Sequence, residues 1–525
     1  MTEARRSKLL FTYLLFSALV CGAAVMVIEV LGSRVIGPFF GVSLFVWTSL
    51  ISVTLISLAL GYWFGGVLAD RRGHSSDLYA LIAGAGVCVL LIPWLKGAVL
   101  EASLPLGLRT GAFVSSLILF GPALLLLGSV SPYLVKIAAR AVSNIGRTVG
   151  GLYALSTVGS VAGTALTGFF LIAHLGVNQA FYAVGITLLL ISAVYFALLR
   201  RLVIVTAVLV ICLALAPQWI VPPALSMPDA QVREVFSGDT FYGAIKVIDV
   251  DYGDAVERQL LIDGLQQGGQ DVSSGLTVNR YPYLMQFLPY RLQPNGRDCL
   301  VVGLGAGFIP SWYSARGIRT DVVDIDPLIP QLARDYFGFR TSGDVVVADA
   351  RHFLLTSERQ YDYIILDAYN GDLMPHHLIS REMFTLIEKH LRPGGVLGIN
   401  FIGSVGGQRR MTSSVVRTLR SVFESVDVYP AFDVADANGV GNLEIVAYHG
   451  VRSLLPLGEV PGLAIHPRIN AQVRGFMRQS YPFPVDADAL VLTDDYNPMD
   501  FFDAGLRETV RGWILQSTAR GLLTR

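Results

Sequence analysis

Val301-Val302-Gly303-Leu304-Gly305-Ala306-Gly307 is an apolar run that ends in a glycine turn, and Val322-Val323-Asp324-Ile325-Asp326 follows about 20 residues later. The pair reads as a buried strand, a turn, a helix and a second strand that ends in a carboxylate. Glycines let the backbone pass close to a bound nucleoside, and an acid at the second strand end meets ribose hydroxyls. A GxG turn alone is weak evidence, because a tight turn needs no ligand. Asp324 is what turns it toward a nucleoside-type ligand.

Working outward from this unit, strands and helices alternate. Strands are expected at 299–302, 320–325, 344–348, 361–366 and 395–401, with helices at 276–292, 307–316, 327–336, 350–355 and 380–391. This rhythm implies a largely parallel, doubly wound α/β sheet that binds ligands at the carboxyl ends of its strands. Val345-Val346-Val347-Ala348 is followed by Asp349-Ala350-Arg351, and Ile364-Ile365-Leu366 by Asp367. Three carboxylates at three successive strand ends point to a nucleoside-type ligand rather than to solvated loop charge or turn capping. Upstream, alternating apolar residues at 241–250 and 258–264 flank Asp251-Tyr252-Gly253-Asp254, a β-hairpin pattern.

The N-terminal part is of another kind. The chain has 525 residues, 53% of them hydrophobic, and a mean hydropathy of +0.54, too apolar for one soluble protein of this size. The excess lies before Pro217-Gln218-Trp219-Ile220-Val221-Pro222-Pro223. Two domains are therefore expected: a multi-pass transmembrane domain over 1–223 and a Rossmann-like domain over 224–525. Net charge is zero only because the parts cancel. Residues 1–201 carry 13 Lys/Arg against 5 Asp/Glu, and 202–525 carry 27 against 35. The acidic second part suits a cationic small substrate and argues against nucleic acid. The four cysteines, Cys21, Cys88, Cys212 and Cys299, form no disulfide framework and no zinc spacing, and no metal site is expected.

Apolar segments near 9–31, 44–68, 78–98, 110–135, 148–173, 178–199 and 202–218 suggest a bundle of about seven transmembrane helices. The first six reach the roughly 20 residues needed to cross a bilayer. Positive charge clusters in alternate connections, at Arg5, Arg6 and Lys8, at Arg71 and Arg72, at Lys136, Arg140 and Arg147, and at Arg200 and Arg201. By the positive-inside rule the N-terminus is cytoplasmic, in a cell (inner) membrane. If 202–218 crosses, the second domain lies outside; if that segment is interfacial, the domain is cytosolic. Gly150, Gly151, Gly159, Gly163 and Gly168, with Ser156 and Ser160, have the spacing of close helix packing. Glu29 is an intramembrane carboxylate, either paired near the interface with Arg34 or functional.

Asp-Ala-Arg at 349–351, Tyr-Asp-Tyr-Ile-Ile-Leu-Asp at 361–367 and Leu-Arg-Pro-Gly-Gly-Val-Leu at 391–397 resemble spermidine synthases and the wider class I S-adenosylmethionine-dependent fold. Leu-Ile-Asp-Gly-Leu-Gln at 261–266 resembles the N-terminal hairpin of spermidine synthases. With 150–155, 367–378 and 492–498, the whole chain resembles membrane-fused spermidine synthase-like proteins. The resemblance implies a transferase that moves an aminopropyl group from decarboxylated S-adenosylmethionine to an amine acceptor such as a polyamine, releasing methylthioadenosine.

By position, Asp367 would deprotonate the amine and Asp324 would hold the ribose. Asp349, with Ala350, would meet the adenine, and Gly303, Gly305 and Gly307 would back the cofactor. Gln266 or its neighbour Gln267 would lie near the cofactor's tail, and Tyr281 on the acceptor side. Soluble spermidine synthases carry a second carboxylate where this chain has Asn370, with Asp372 two further on. They also carry acids where this chain reads Gly275-Leu-Thr-Val-Asn-Arg-Tyr, which weighs against putrescine as acceptor.

Asp494 and Asp495 either replace that acceptor-side charge or form an Asp-rich turn. His376 and His377 either shape the acceptor pocket or cap the next helix. A homodimer is the family's common assembly. Two other readings stand beside aminopropyl transfer: methyl transfer from S-adenosylmethionine to a membrane-near acceptor, and a sensor or transporter that binds a nucleoside or polyamine without turnover.

Overall fold

The structure, a computed structural model, describes residues 3–41, 44–139, 145–198, 226–227, 230–369, 371, 374–435, 439–502 and 504–517. The chain divides into two compact units, Met1–Ala224 and Leu225–Ala519.

Helices α1 (Glu3–Phe40), α2 (Leu44–Arg71), α3 (Ser75–Ser103), α4 (Gly107–Ala139), α5 (Ile145–Leu166) and α6 (Val177–Leu198) make up the described part of the first unit, apart from short helical turns. Among the described residues, five stretches are long and apolar enough to cross a membrane, one of them the 64-residue Ser75–Ala138. At 1.5 Å per residue that stretch would run about 96 Å, some three times the hydrocarbon thickness. It breaks at the 3-10 turn Leu104–Leu106 and at Gly107, whose φ of 78° ends the turn, and its two arms, α3 and α4, pack together. The expected segment 202–218 lies outside the described residues.

Small residues let the backbones approach. A Cβ on Gly159 would collide with the carbonyl oxygen of Leu19 on α1, and one on Gly163 would lie 2.6 Å from that of Ala23. Ser160 Oγ donates across the same seam to the carbonyl of Gly22 at 3.1 Å. Gly150, Gly151 and Gly168 have no neighbour within 4 Å of such a Cβ, so only part of the small-residue stripe is a packing seam. The Glu29 carboxylate takes a hydrogen bond from Thr54 of α2.

The second unit opens with an antiparallel meander: β1 (Ser226–Met227), β2 (Ala230–Asp239), β3 (Ala244–Asp251), β4 (Val256–Ile262) and β5 (Leu265–Asp271). The expected hairpin is β3–β4 within it. Strand β5 contains Gly268 and Gly269 and carries no strand signal of its own; it is held by β4. Helix α7 (Tyr281–Leu292) starts later than expected because Thr277 pairs back onto β5, its hydroxyl donating to Gly269 at 2.9 Å.

A seven-stranded sheet follows, built from β6 (Asp298–Val302), β7 (Arg319–Asp324), β8 (Val345–Val347), β9 (Tyr361–Leu366), β10 (Leu391–Ser404), β11 (Ser425–Pro430) and β12 (Val440–Tyr448), in the order β11-β12-β10-β9-β6-β7-β8. Strands β6 to β10 are mutually parallel, and β12 runs against β10. This is an open α/β sheet of five parallel strands with an antiparallel pair, β11 and β12, at one edge. Alternation divides its core into two layers. Cys299 and Val301 face α7, α8 (Phe308–Ser314) and α9 (Ile329–Phe337), while Leu300 and Val302 face α10 (Ala350–Thr356), α11 (Arg381–His390) and α12 (Arg410–Arg420). Strand order reverses at β6, and the ends of β6 and β9 flank the crevice that results.

Replacing Gly159 with leucine is expected to destabilise the first unit by at least about 1–3 kcal/mol, the usual scale of overpacking. Gly150→Leu is expected to leave the melting temperature of the detergent-purified full-length protein unchanged. Equal effects of the two would contradict the seam.

Candidate active site

The register of the sheet builds the site. Val302 pairs with Val323 on one side and Leu366 on the other, and Leu366 pairs with Ile399. The next residue of each strand therefore falls on one row: Asp324, Gly303, Asp367 and Asn400. Antiparallel pairing extends the row, since Asn400 faces Glu444 and Glu444 faces Tyr429. Below the row every partner is apolar, so a charge on it meets little water.

The glycine turn anchors the row. Gly303 has φ of 86°, and a Cβ on it would strike the backbone of Asp367. Gly305, with φ of 50°, would meet only the carbonyl of Gln267 at 3.1 Å, so this part of the turn is open in front. Leu304 N–H donates to Asp324 Oδ2 at 2.8 Å, and Asp326 N–H to Asp324 Oδ1 at 2.9 Å. Each oxygen keeps a further lone pair, which suits the two hydroxyls of a ribose. Burial pushes the Asp324 acid up to about 6, against the pull of these amides.

Asp349 N-caps α10, accepting from His352 N–H at 2.9 Å, and its other oxygen lies 2.9 Å from His377 Nε2. Burial works against its charge, but His352 N–H and the His377 ring hold the acid below the ordinary carboxylate value. Ala350 is buried as the first residue of that helix. The next helix, α11, is capped by Ser380, not by His376 or His377.

Asp367 Oδ1 accepts from Asn400 Nδ2 at 2.7 Å, and Asn400 Oδ1 in turn accepts from Asn442 Nδ2 at 2.8 Å. Desolvation raises the Asp367 acid to about 7, the Asn400 bond only partly opposing it. Burial drives the Tyr281 hydroxyl well above its ordinary value, and the nearby charges of Asp367 and Glu444 drive it further.

Some expected residues do not join this group. Gln266 is exposed on β5, whereas the Gln267 backbone faces Gly305 and accepts from the Tyr281 hydroxyl at 3.4 Å. Gln267 is the unpaired residue at the register shift between Leu260 and Leu261, and its carbonyl is what faces the turn. Asp494 is bound in bidentate fashion by Arg351, at 2.8 and 2.5 Å, so its charge is already neutralised. Asp495 is exposed in the turn closed by Thr493 and Tyr496. Both acids lie in this turn, and neither is on the row. Asn370 and Asp372 lie outside the described residues.

Two residues were missed. Glu444 is fully buried, and neither carboxylate oxygen has a hydrogen-bond partner among the described residues. Desolvation, then the charge of Asp367, raises its acid well above the ordinary value. A charge inside Leu443-Glu444-Ile445-Val446 was the available signal. Tyr242, in the β2–β3 turn, has its hydroxyl pushed up by burial and then by Asp326, Asp349 and Asp324. Its amide donates to Thr240 Oγ1, and that hydroxyl donates to Asp326 Oδ2, which ties this turn to the end of β7.

Residues 279–432 match the spermine/spermidine synthase domain. This part of the chain is spermidine synthase-like. The chain is 33% identical over 151 residues to a polyamine aminopropyltransferase of Vibrio vulnificus, covering 27% of this chain and 49% of that one. It is 32% identical over 139 residues to an N-terminal histidine N-methyltransferase of Emericella nidulans, covering 26% and 25%. It is 22% identical over 303 residues to putrescine N-methyltransferase 2 of Nicotiana tabacum, covering 55% and 75%. The chain thus spans from a quarter to about half of the length of the first two relatives. The matched residues include the glycine turn, Asp324, Asp349 and Asp367 of the spermidine synthase-like domain, but neither the meander nor Glu444.

Glu444 binds its proton more tightly in the folded than in the unfolded chain. The stability it contributes is full at low pH and is lost as pH rises above its unfolded value. Glu444→Gln removes that loss. The melting temperature of the variant minus that of the wild type is expected to be at least about 3 °C larger near pH 8 than near pH 4. A pH-independent difference would show that Glu444 is not held as a buried acid.

Proposed function

We propose that the spermidine synthase-like unit transfers an alkyl group from a sulfonium nucleoside to an amine, with Asp367 as the proton acceptor. The observation that carries this reading is the row itself: a half-buried carboxylate poised near neutrality, in register with a glycine turn and a ribose-type acid. The sulfonium compound supplies a carbon made electrophilic by its neighbouring sulfur and departs as a neutral thioether.

The chain's own task is to bind, orient and deprotonate. Asp324 takes the ribose hydroxyls, Asp349 with Ala350 takes the adenine edge, and Gln267 borders the turn. An amine with an ordinary value near 10 arrives protonated. Asp367, raised toward that value by burial, accepts its proton at Oδ2, while Asn400 fixes Oδ1. Glu444 provides a second acid on the acceptor side, and Tyr281 closes it.

The spermidine synthase domain match and the Vibrio relative favour an aminopropyl group from decarboxylated S-adenosylmethionine. A specific observation favours a methyl group from S-adenosylmethionine instead. The approach to Tyr281, Gly275-Leu-Thr-Val-Asn-Arg, carries no acid to grip a polyamine, and N-methyltransferases stand among the relatives beside aminopropyltransferases. The apolar helices support a multi-pass protein of the inner membrane, with the N-terminus cytoplasmic by charge bias.

Full-length protein incubated with both sulfonium compounds and a set of amines is expected to release a thioether nucleoside, read by mass spectrometry. Methylthioadenosine marks aminopropyl transfer and S-adenosylhomocysteine marks methyl transfer. Because the ionised form of Asp367 is the base, turnover is expected to rise with pH and level off above about 7. Asp367→Asn is expected to lower kcat by about 10²–10⁴-fold and to remove that inflection. Undiminished turnover in this variant would refute the assignment.

A further inference from the structure

Beside the acidic row lies an open cleft of about 900 Å³, within the size range of small-molecule sites. One wall is Arg280, which directly precedes Tyr281. A second is Pro430 and Phe432, just beyond Tyr429, the register partner of Glu444. The third is formed by Gln472, Gln479 and Ser480, in a segment beyond the residues that match the synthase domain. Two walls are near covalent neighbours of the row; the third is supplied by the chain's own C-terminal segment.

Polarity changes sign along this path. Among the described residues the Asp367 carboxylate is bonded only to the neutral Asn400, and the Glu444 carboxylate has no hydrogen-bond partner. Arg280 is partly exposed, and its guanidinium has neither a hydrogen-bond nor an ion-pair partner among the described residues. Asp433, which also lines the cleft, is exposed and accepts from Ala435 N–H rather than pairing with Arg280.

A polyamine carries ammonium groups along its whole length and would set one of them against the guanidinium. Like charges so placed select against a ligand. An amine whose far end bears a carboxylate or peptide carbonyls satisfies both ends. Its ammonium lies toward Asp367 and Glu444, and its oxygens toward Arg280, whose planar fork matches a carboxylate. The amides of Gln472 and Gln479 and the Ser480 hydroxyl offer both donors and acceptors, as a peptide group requires.

We infer that the acceptor is a zwitterionic amine of the amino-acid or peptide type, selected over polyamines by Arg280. This rests on the alkyl-transfer reading above.

Full-length protein with S-adenosylmethionine and its decarboxylated form is offered putrescine, spermidine, glycine, triglycine and triglycine amide, and thioether nucleoside release is measured. The better of glycine and triglycine is expected to exceed both polyamines in kcat/KM by at least about tenfold. Glycine against triglycine separates amino acid from peptide, and the amide separates carboxylate from carbonyl recognition. Arg280→Glu is expected to lower that kcat/KM by at least about tenfold and to raise that for putrescine. Unchanged heat of binding of the sulfonium compounds would show that the variant is folded. Preferred turnover of a polyamine, unaltered by Arg280→Glu, would overturn the inference and leave alkyl transfer standing. Absence of any thioether nucleoside with every amine would sink the alkyl-transfer reading, and this inference with it.

Discussion

The hydrogen bond from Leu304 N–H to Asp324, with two backbone bonds beside it, holds the mouth of the sheet together. Gly303 N–H donates to Val323 at 2.8 Å, and Asp367 N–H to Val302 at 2.8 Å. Three strands are thus tied at the level where their apolar residues end. Strand pairing fixes register, and a slip of one residue would send each side chain to the other face. Asp324, Gly303, Asp367, Asn400 and Glu444 share one row because Val302, Val323, Leu366 and Ile399 pair as they do.

That placement also sets the chemistry. The row sits where a sheet buried on both faces meets the crevice, so its carboxylates lose water without gaining a cation. Asp324 and Asp367 are raised toward neutrality for this reason, whereas Asp349, at a helix N-terminus beside His377, is held low. Environments that push similar acids apart assign them different tasks. A low acid accepts hydrogen bonds as a permanent anion; an acid near neutrality exchanges a proton. Asn400, itself held by Asn442, fixes one oxygen of Asp367 and leaves the other free for an amine.

The parallel part of the sheet was legible because its signals are local. Apolar runs end in glycine or aspartate, and three of the five parallel strands end at or just before their own acid, so Asp324, Asp349 and Asp367 could be named before their neighbours were known. Strand β5 was not legible: glutamines and paired glycines have little strand preference, and β4 supplies the order. The choice between Gln266 and Gln267 depended on the register shift in that strand, which leaves Gln267 unpaired on β4. Glu444 looked like one charge in an apolar run, since its meaning comes from Asn400, 44 residues away in sequence and opposite in register. The pairing of Asp494 was not legible because its partner, Arg351, lies 143 residues earlier. Arg280 gains significance only when the C-terminal segment closes a cleft around it.

The central claim is that carboxylates at successive strand ends hold one adenosine-bearing ligand. Titration calorimetry of the full-length protein with S-adenosylmethionine, its decarboxylated form and their thioether products tests it most directly. The account predicts saturable binding of at least one of these, weakened at least about tenfold by Asp324→Asn. No heat with any of them, or binding indifferent to that substitution, would contradict it.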